Sequence, residues 1–152
     1  MPDTLLLSSS GCPRATLASA PLHSLFFNPE LLHSSDQLSE LVSGLAHQPA
    51  PRPAHSFAPS LRGRLFNAGL DLVAINIQRG RDLGLAAYSA YAKLCGAEAL
   101  PASQQAALAT LYSHPGDSDL FIAGLMETPL PGSLLGPTFT CIILDQVLLI
   151  AS

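Results

Sequence analysis

Charge is what this chain has least of. Only 12% of its 152 residues are Asp, Glu, Lys or Arg, about half the share of an ordinary soluble domain. So few charged residues coat a surface poorly. With 48% hydrophobic residues, much of the chain is expected to lie against something larger. The seven cations are scattered and the formal net charge is -4. That pattern lacks the basic face a nucleic-acid partner requires.

Other absences narrow the reading. The longest apolar candidate, Cys141 to Ala151, is short and interrupted by Asp145 and Gln146, so no membrane span is expected. Leu5 to Leu7 follow Asp3 without a basic stretch, so no signal peptide is read there. Cys12, Cys95 and Cys141 lack the close pairs of a zinc site. His23, His33, His47, His55 and His114 are isolated and loop-like, and no two have the i, i+4 spacing of a helical metal site. Alternating strand patterns and internal repeats are absent.

What is present is helical. Residues 1–20, rich in Ser, Ala and Pro, carry no periodicity and read as disordered or non-native. Ser34 to Gln37 suggests a capping box, followed by Leu38, Leu41, Val42 and Leu45 on one helical face. Four prolines between Gln48 and Pro59 predict an extended linker. Asp71 suits an N-cap, with a helix to Asp82 that stops by Gly84. Further helices are predicted over Ala86–Cys95, closed by Gly96, over Ala102–Tyr112, over Asp117–Glu127 capped by Asp117 or Ser118, and from Pro137 to about Leu149. The predicted fold class is mostly α.

The most unusual segment is Asn76-Ile77-Gln78-Arg79-Gly80-Arg81-Asp82. Two amides, two guanidinium groups and a carboxylate stand in an otherwise apolar region, and Asn76 and Arg79 share a helix face. These groups must be satisfied somewhere. One reading is an internal pair of Arg81 or Arg79 with Asp82. The other is a pocket for an anionic ligand such as a carboxylate. Gly116 to Leu120 is superficially similar to a GDSL hydrolase motif. That motif needs a preceding strand and later Asp and His partners, so Ser118 reads as a helix cap. Tyr88 and Tyr91 read as core.

The run Leu70 to Asp82, with Gly84, Leu85 and Tyr88, closely resembles the signature helix of animal haem peroxidases. Leu94-Cys95-Gly96, Asp119 to Glu127, Pro129 to Gly132 and Gly136-Pro137-Thr138-Phe139-Thr140-Cys141 resemble later elements of the same family, in family order. Phe26-Phe27-Asn28-Pro29 and Arg64-Leu65-Phe66 fit the region between. The resemblance covers Pro21 to Gln146 and implies a partial haem-peroxidase helical domain over 21–146, with a divergent tail at 147–152.

The resemblance also implies roles. Asn76 matches the asparagine that hydrogen-bonds the proximal histidine of haem iron, a contact that tunes the metal through its ligand. Arg79 matches the arginine near a haem propionate. Cys95 and Cys141 match family cysteines and are expected to pair, leaving Cys12 free. Leu83 stands where the family usually has histidine. The proximal histidine belongs upstream of Phe26, where Met1 to Ala20 contain none. The distal histidine, the catalytic arginine and the calcium loop belong further upstream still. The chain is therefore expected to be a fragment of a hydrogen-peroxide-dependent oxidoreductase carrying the proximal-side scaffold without either histidine. Its expected partner is the remainder of the peroxidase domain, and its parent is expected to be extracellular. No catalytic residue or metal site is assigned. The chain alone is expected to bind no haem, and the alternative reading is a non-catalytic chain with at most a protein-interaction role.

Overall fold

The computed structural model describes residues 4–7, 18–49 and 55–151. The fold is mostly α, and it divides into two compact units. Residues 1–51 and 56–74 form the first, and residues 52–55 and 75–152 the second, with the boundary inside one helix. Cys12, Pro51 and Pro53 lie outside the described residues.

In the first unit, strand β1 (Thr4–Leu7) pairs antiparallel with β2 (Ala18–Pro21), Thr4 opposite Pro21 and Leu7 opposite Ala18. The segment that reads as unstructured therefore carries a short sheet. Four-residue strands offer too few positions for alternation to register in the sequence. Two 3₁₀ turns, Leu22–Leu25 and Pro29–Leu32, lead to α1 (Ser35–His47). Ser34 stands at its N-cap but makes no side-chain capping bond, so the capping box does not form. Pro59 does not extend a linker. It opens α2 (Pro59–Gly63), where its missing amide hydrogen costs nothing. Phe27, Phe66 and Asn67 hold positive φ of 53°, 55° and 57°, a conformation that asparagine adopts readily and that costs each phenylalanine about 1–2 kcal/mol.

Helix α3 (Leu72–Asp82) begins at Asp71, whose carboxylate accepts from the backbone N–H of Val73 at 2.8 Å and of Ala74 at 3.1 Å. Two of the orphan donors of the first turn are thereby satisfied. Its end is a Schellman turn. Leu85 N–H donates to the Gly80 carbonyl and Gly84 N–H to the Arg81 carbonyl, with Gly84 at φ 68°. The same motif closes α4 (Tyr88–Leu94), where Ala97 donates to Ala92, Gly96 to Lys93, and Gly96 takes φ 62°. A residue with a Cβ resists that left-handed conformation, so glycine fixes both helix ends.

The second unit continues with α5 (Ala102–Ala109), a 3₁₀ turn at Pro115–Asp117, α6 (Leu120–Met126) and α7 (Pro137–Ala151). Asp119, not Asp117 or Ser118, is the residue before α6. Ser118 is 2% exposed, and its hydroxyl donates to the Pro115 carbonyl at 3.0 Å. Tyr88, Ala92, Leu100, Leu108, Ala123 and Met126 form the core. Helix α6 lies so close to α7 that a Cβ on Gly124 would meet the Phe139 ring at 2.7 Å. A disulfide joins Cys95 to Cys141, with their Cα atoms 5.9 Å apart.

One buried carboxylate gathers these helices. Glu127, 7% exposed, accepts from the Tyr88 hydroxyl at 2.8 Å, from the Thr138 hydroxyl, and from the Thr138 backbone N–H at 2.9 Å. Thr138 N–H is one of the unpaired donors in the first turn of α7, so the carboxylate caps that helix from another element. Gly136 leaves room for it, because a Cβ there would fall within 2.4 Å of Glu127 Oε2.

Replacing Glu127 with Ala leaves the Tyr88 and Thr138 donors buried without a partner. It should lower stability by about 3 kcal/mol, at the upper end of the cost of an unmade buried bond. Gly136→Ala should destabilise in the same way by displacing the carboxylate. Urea unfolding followed by helicity measures both, and a Glu127→Ala midpoint equal to that of the unmodified chain refutes the capping role. The Tyr88 phenol is pushed up to about 12, first by burial and then by its bond to Glu127. Its contribution to stability is complete below the unfolded value of 10.0 and is lost as pH rises through the folded value. Phenolate absorbance and helicity recorded together should change in one step near pH 12, and Tyr88→Phe should abolish that step.

Candidate functional site

The signature segment Asn76 to Asp82 forms the last turns of α3. The apolar residues Ile75 and Ile77 are half-buried, while Gln78, Arg79 and Arg81 are exposed. Asn76 and Arg79, one turn apart, line a cavity of about 770 Å³ together with Leu83, Tyr112, Phe121 and Phe139. Among the described residues neither the Asn76 amide nor the Arg79 guanidinium has a hydrogen-bond partner. The wall thus offers an amide and a positive charge between apolar and aromatic surfaces. Such a wall can pair with a carboxylate beside apolar surface.

The other charged members of the motif are engaged. Arg81 does not pair with Asp82. It forks onto Asp119, Nε to Oδ1 at 3.0 Å and Nη2 to Oδ2 at 2.6 Å. Asp82 instead accepts from the Gln78 amide at 2.7 Å. Tyr112 completes the cluster by donating its hydroxyl to Asp119 Oδ2 at 2.8 Å. The sequence separates Arg81 from Asp119 by 38 residues, so a local pairing with Asp82 was the only one its spacing suggested. Asp119 and Tyr112 were missed for that reason. The available signal was an acid immediately before a fully apolar helix, which looks like a cap and serves as a counter-ion. Glu127 gave a similar signal, as a single acid closing the apolar run Leu120–Met126.

Arg81 holds the Asp119 carboxyl below the usual carboxylate range, chiefly through the hydrogen bond, while partial burial opposes it. The Tyr112 phenol is pushed up, first by burial and then by its bond to Asp119. The Arg81 side chain is 57% exposed, so solvent screens the pair and its contribution to stability is modest.

No histidine, cysteine or methionine lines the cavity. His23 accepts from Arg64 at its Nε2 and lies 3.2 Å from the Ser60 hydroxyl. His47 donates to the Ser43 carbonyl at 2.8 Å, and His114 accepts from Gly116 N–H at 3.0 Å. Among the described residues no three His, Cys, Asp or Glu side chains converge as a metal site. Among them, no helix is long and apolar enough to cross a membrane.

Because Asp119 is depressed, the stability it contributes is present above the unfolded carboxylate value and is lost as pH falls through the folded one. Arg81→Ala removes the main cause. The Asp119 carboxyl should then titrate at higher pH by carbon-detected nuclear magnetic resonance, and the acid-unfolding midpoint should move up in pH. An unchanged Asp119 titration rules out Arg81 as the cause.

Comparison with known proteins gives this geometry its context. The family model described as animal haem peroxidase matches residues 1–151, so the matched region extends past the 21–146 span at both ends. Peroxidase-like protein 3 of Lottia gigantea is 40% identical over 134 residues, covering 83% of this chain and 45% of that protein. Thyroid peroxidase of Homo sapiens is 36% identical over 143 residues, covering 83% of this chain and 15% of that protein. The solved structure of Peroxidase A from Dictyostelium discoideum superposes with a TM-score of 0.82 at 26% identity, covering 97% of this chain and 30% of that one. The chain thus spans less than half the length of these relatives, and it belongs to the animal haem peroxidase family.

Proposed function

We propose that this chain is the proximal-side scaffold of a secreted, hydrogen-peroxide-dependent oxidoreductase, and that it performs no peroxidase chemistry by itself. The observation that carries the reading is the unpartnered pair on one cavity wall, Asn76 and Arg79. They stand where the family's signature places the amide that orients the proximal imidazole and the arginine that holds a haem propionate. The residues present fit the periphery of haem. Arg79 supplies a counter-charge for a carboxylate, and the aromatic and apolar wall suits a flat ring. They do not fit the iron, because the cavity offers no imidazole, thiolate or thioether. Tyr112, its one phenol, is already bonded to Asp119.

Haem bound by the whole domain would supply the redox centre for peroxide-driven oxidation. This chain's part is positioning. The Asn76 amide would fix the orientation and basicity of an imidazole contributed by sequence outside these 152 residues. Arg79 would anchor one carboxylate in a partly dry wall, where a fork of donors holds it in register. The Arg81–Asp119 fork keeps Arg81 out of that task and leaves Arg79 for it. The Cys95–Cys141 disulfide suits an oxidising compartment, which supports an extracellular parent.

The chain alone should bind haem weakly and turn over no peroxide. One charge-assisted contact contributes about 1.5–3 kcal/mol, against ~8 kcal/mol for a micromolar complex. Peroxide chemistry further needs an axial ligand and a distal base. A haem titration of the purified chain, read by absorbance and followed by a peroxidase assay, tests both statements. The expected result is a broad, non-saturating spectrum and no peroxide-dependent oxidation. A sharp band at one haem per chain that Asn76→Ala abolishes, with turnover, would overturn the reading.

A further inference from the structure

One polar pair on the cavity wall has no part in orienting an imidazole or holding a propionate. The Tyr112 hydroxyl donates to Asp119 Oδ2 at 2.8 Å, and both residues line the cavity of Asn76 and Arg79. The phenolic proton is thus within reach of a base, the first condition for its transfer. Arg81 forks onto the same carboxylate, Nε to Oδ1 and Nη2 to Oδ2, and keeps it ionised, so the acceptor stands empty at neutral pH. The phenol is pushed the other way, first by burial and then by its bond to Asp119, so it keeps its proton while the ring is intact. Loss of one electron reverses that balance. An oxidised phenol is a far stronger acid than any carboxylic acid, so its proton moves to Asp119 even though Arg81 weakens that base. A cation left on the ring would be costly in a partly apolar wall, and the transfer removes it.

We propose that Tyr112 is a redox-active tyrosine, which gives one electron to an oxidant in the cavity while its phenolic proton passes to Asp119, leaving a neutral tyrosyl radical. The phenolic O–H bond breaks and an O–H bond forms on Oδ2. Tyr112 is oxidised by one electron and the oxidant is reduced by one. A donor that returns the electron restores the phenol, with the proton moving back along the same hydrogen bond. The chain has no tryptophan and three tyrosines, so the aromatic alternatives are few. Tyr91 makes no hydrogen bond among the described residues and lies outside this cavity. Tyr88 has a carboxylate partner, but it is 8% exposed in the core, outside the cavity, and its Glu127 already takes two bonds from Thr138. Tyr112 alone joins a proton acceptor to the cavity. The oxidant is of the class that peroxide generates at haem, so the setting rests on the proposed function, whereas the chemistry of Tyr112 and Asp119 does not.

The test supplies a different oxidant. The purified 152-residue chain is oxidised by equimolar flash-generated ruthenium(III) tris-bipyridine, and the radical is trapped by freezing and read by electron paramagnetic resonance. The expected result is a tyrosyl signal that Tyr112→Phe lowers at least tenfold and Tyr91→Phe leaves in place. Its formation should be independent of buffer concentration. In Asp119→Asn it should slow at least tenfold and come to depend on buffer base, which then takes the proton. Helicity is checked for each variant. If Asp119→Asn loses its helicity, the unmodified radical decides in heavy water, where a deuteron coupled to the phenoxyl oxygen is expected and its absence overturns the transfer. No tyrosyl signal, or one that survives Tyr112→Phe, overturns the proposal. So does a folded Asp119→Asn chain with an unchanged, buffer-independent rate. A failed haem titration leaves Tyr112 untouched, and a silent Tyr112 leaves the roles of Asn76 and Arg79 untouched.

Discussion

The second unit depends on an ionisable group held out of water. Glu127 ends one helix, receives the hydroxyl of a second and caps the start of a third. Taking a carboxylate from water is costly, and only a full set of donors makes it tolerable. Here the donors come from Tyr88 and Thr138, which belong to α4 and α7. Satisfying the carboxylate and assembling the helices are therefore one event. The glycines follow from the same requirement, since Gly136 keeps the space beside Glu127 empty and Gly124 lets the Phe139 ring approach. Small residues at these two points reflect crowding by neighbours and have nothing to do with turns.

The cavity wall is built on this frame. Helix α3 ends in a Schellman turn at Gly84, and Arg81 ties its last turn to Asp119 at the start of α6. With Arg81 spoken for by Asp119 and Asp82 by Gln78, the side chains of this motif left without a hydrogen bond among the described residues are Asn76 and Arg79. A motif of five polar residues thus separates into three that are bonded within the fold and two, on the cavity wall, that are not. That division follows from partners far away in sequence.

Local signals were readable where the chemistry was local. Asp71 before an apolar periodic run marked the start of α3, and glycines at 84 and 96 marked two helix ends, because caps are made within a few residues. Asn76 and Arg79, one turn apart in the motif, lie on the wall of one cavity. What could not be read depended on distant partners. Asp119 looks like a helix cap until Arg81 reaches it from 38 residues away. Glu127 looks like a surface acid until Tyr88 and Thr138 close on it. The short sheet β1–β2 was invisible because its strands are four residues long. Pro59, counted among linker prolines, turned out to begin a helix, since one residue type serves both purposes.

The disulfide has a consequence for how the second unit withstands cleavage. Residues 128–132, between α6 and α7, are exposed and include Pro129, Pro131 and Gly132, and such a segment is where a protease would nick first. Cys95 lies before that segment and Cys141 after it. A single cut there would yield two polypeptides that stay covalently joined, with α7 still attached to the end of α4. The pieces would separate on a denaturing gel only after reduction, so a sample judged intact without a reducing agent could already be cut in two.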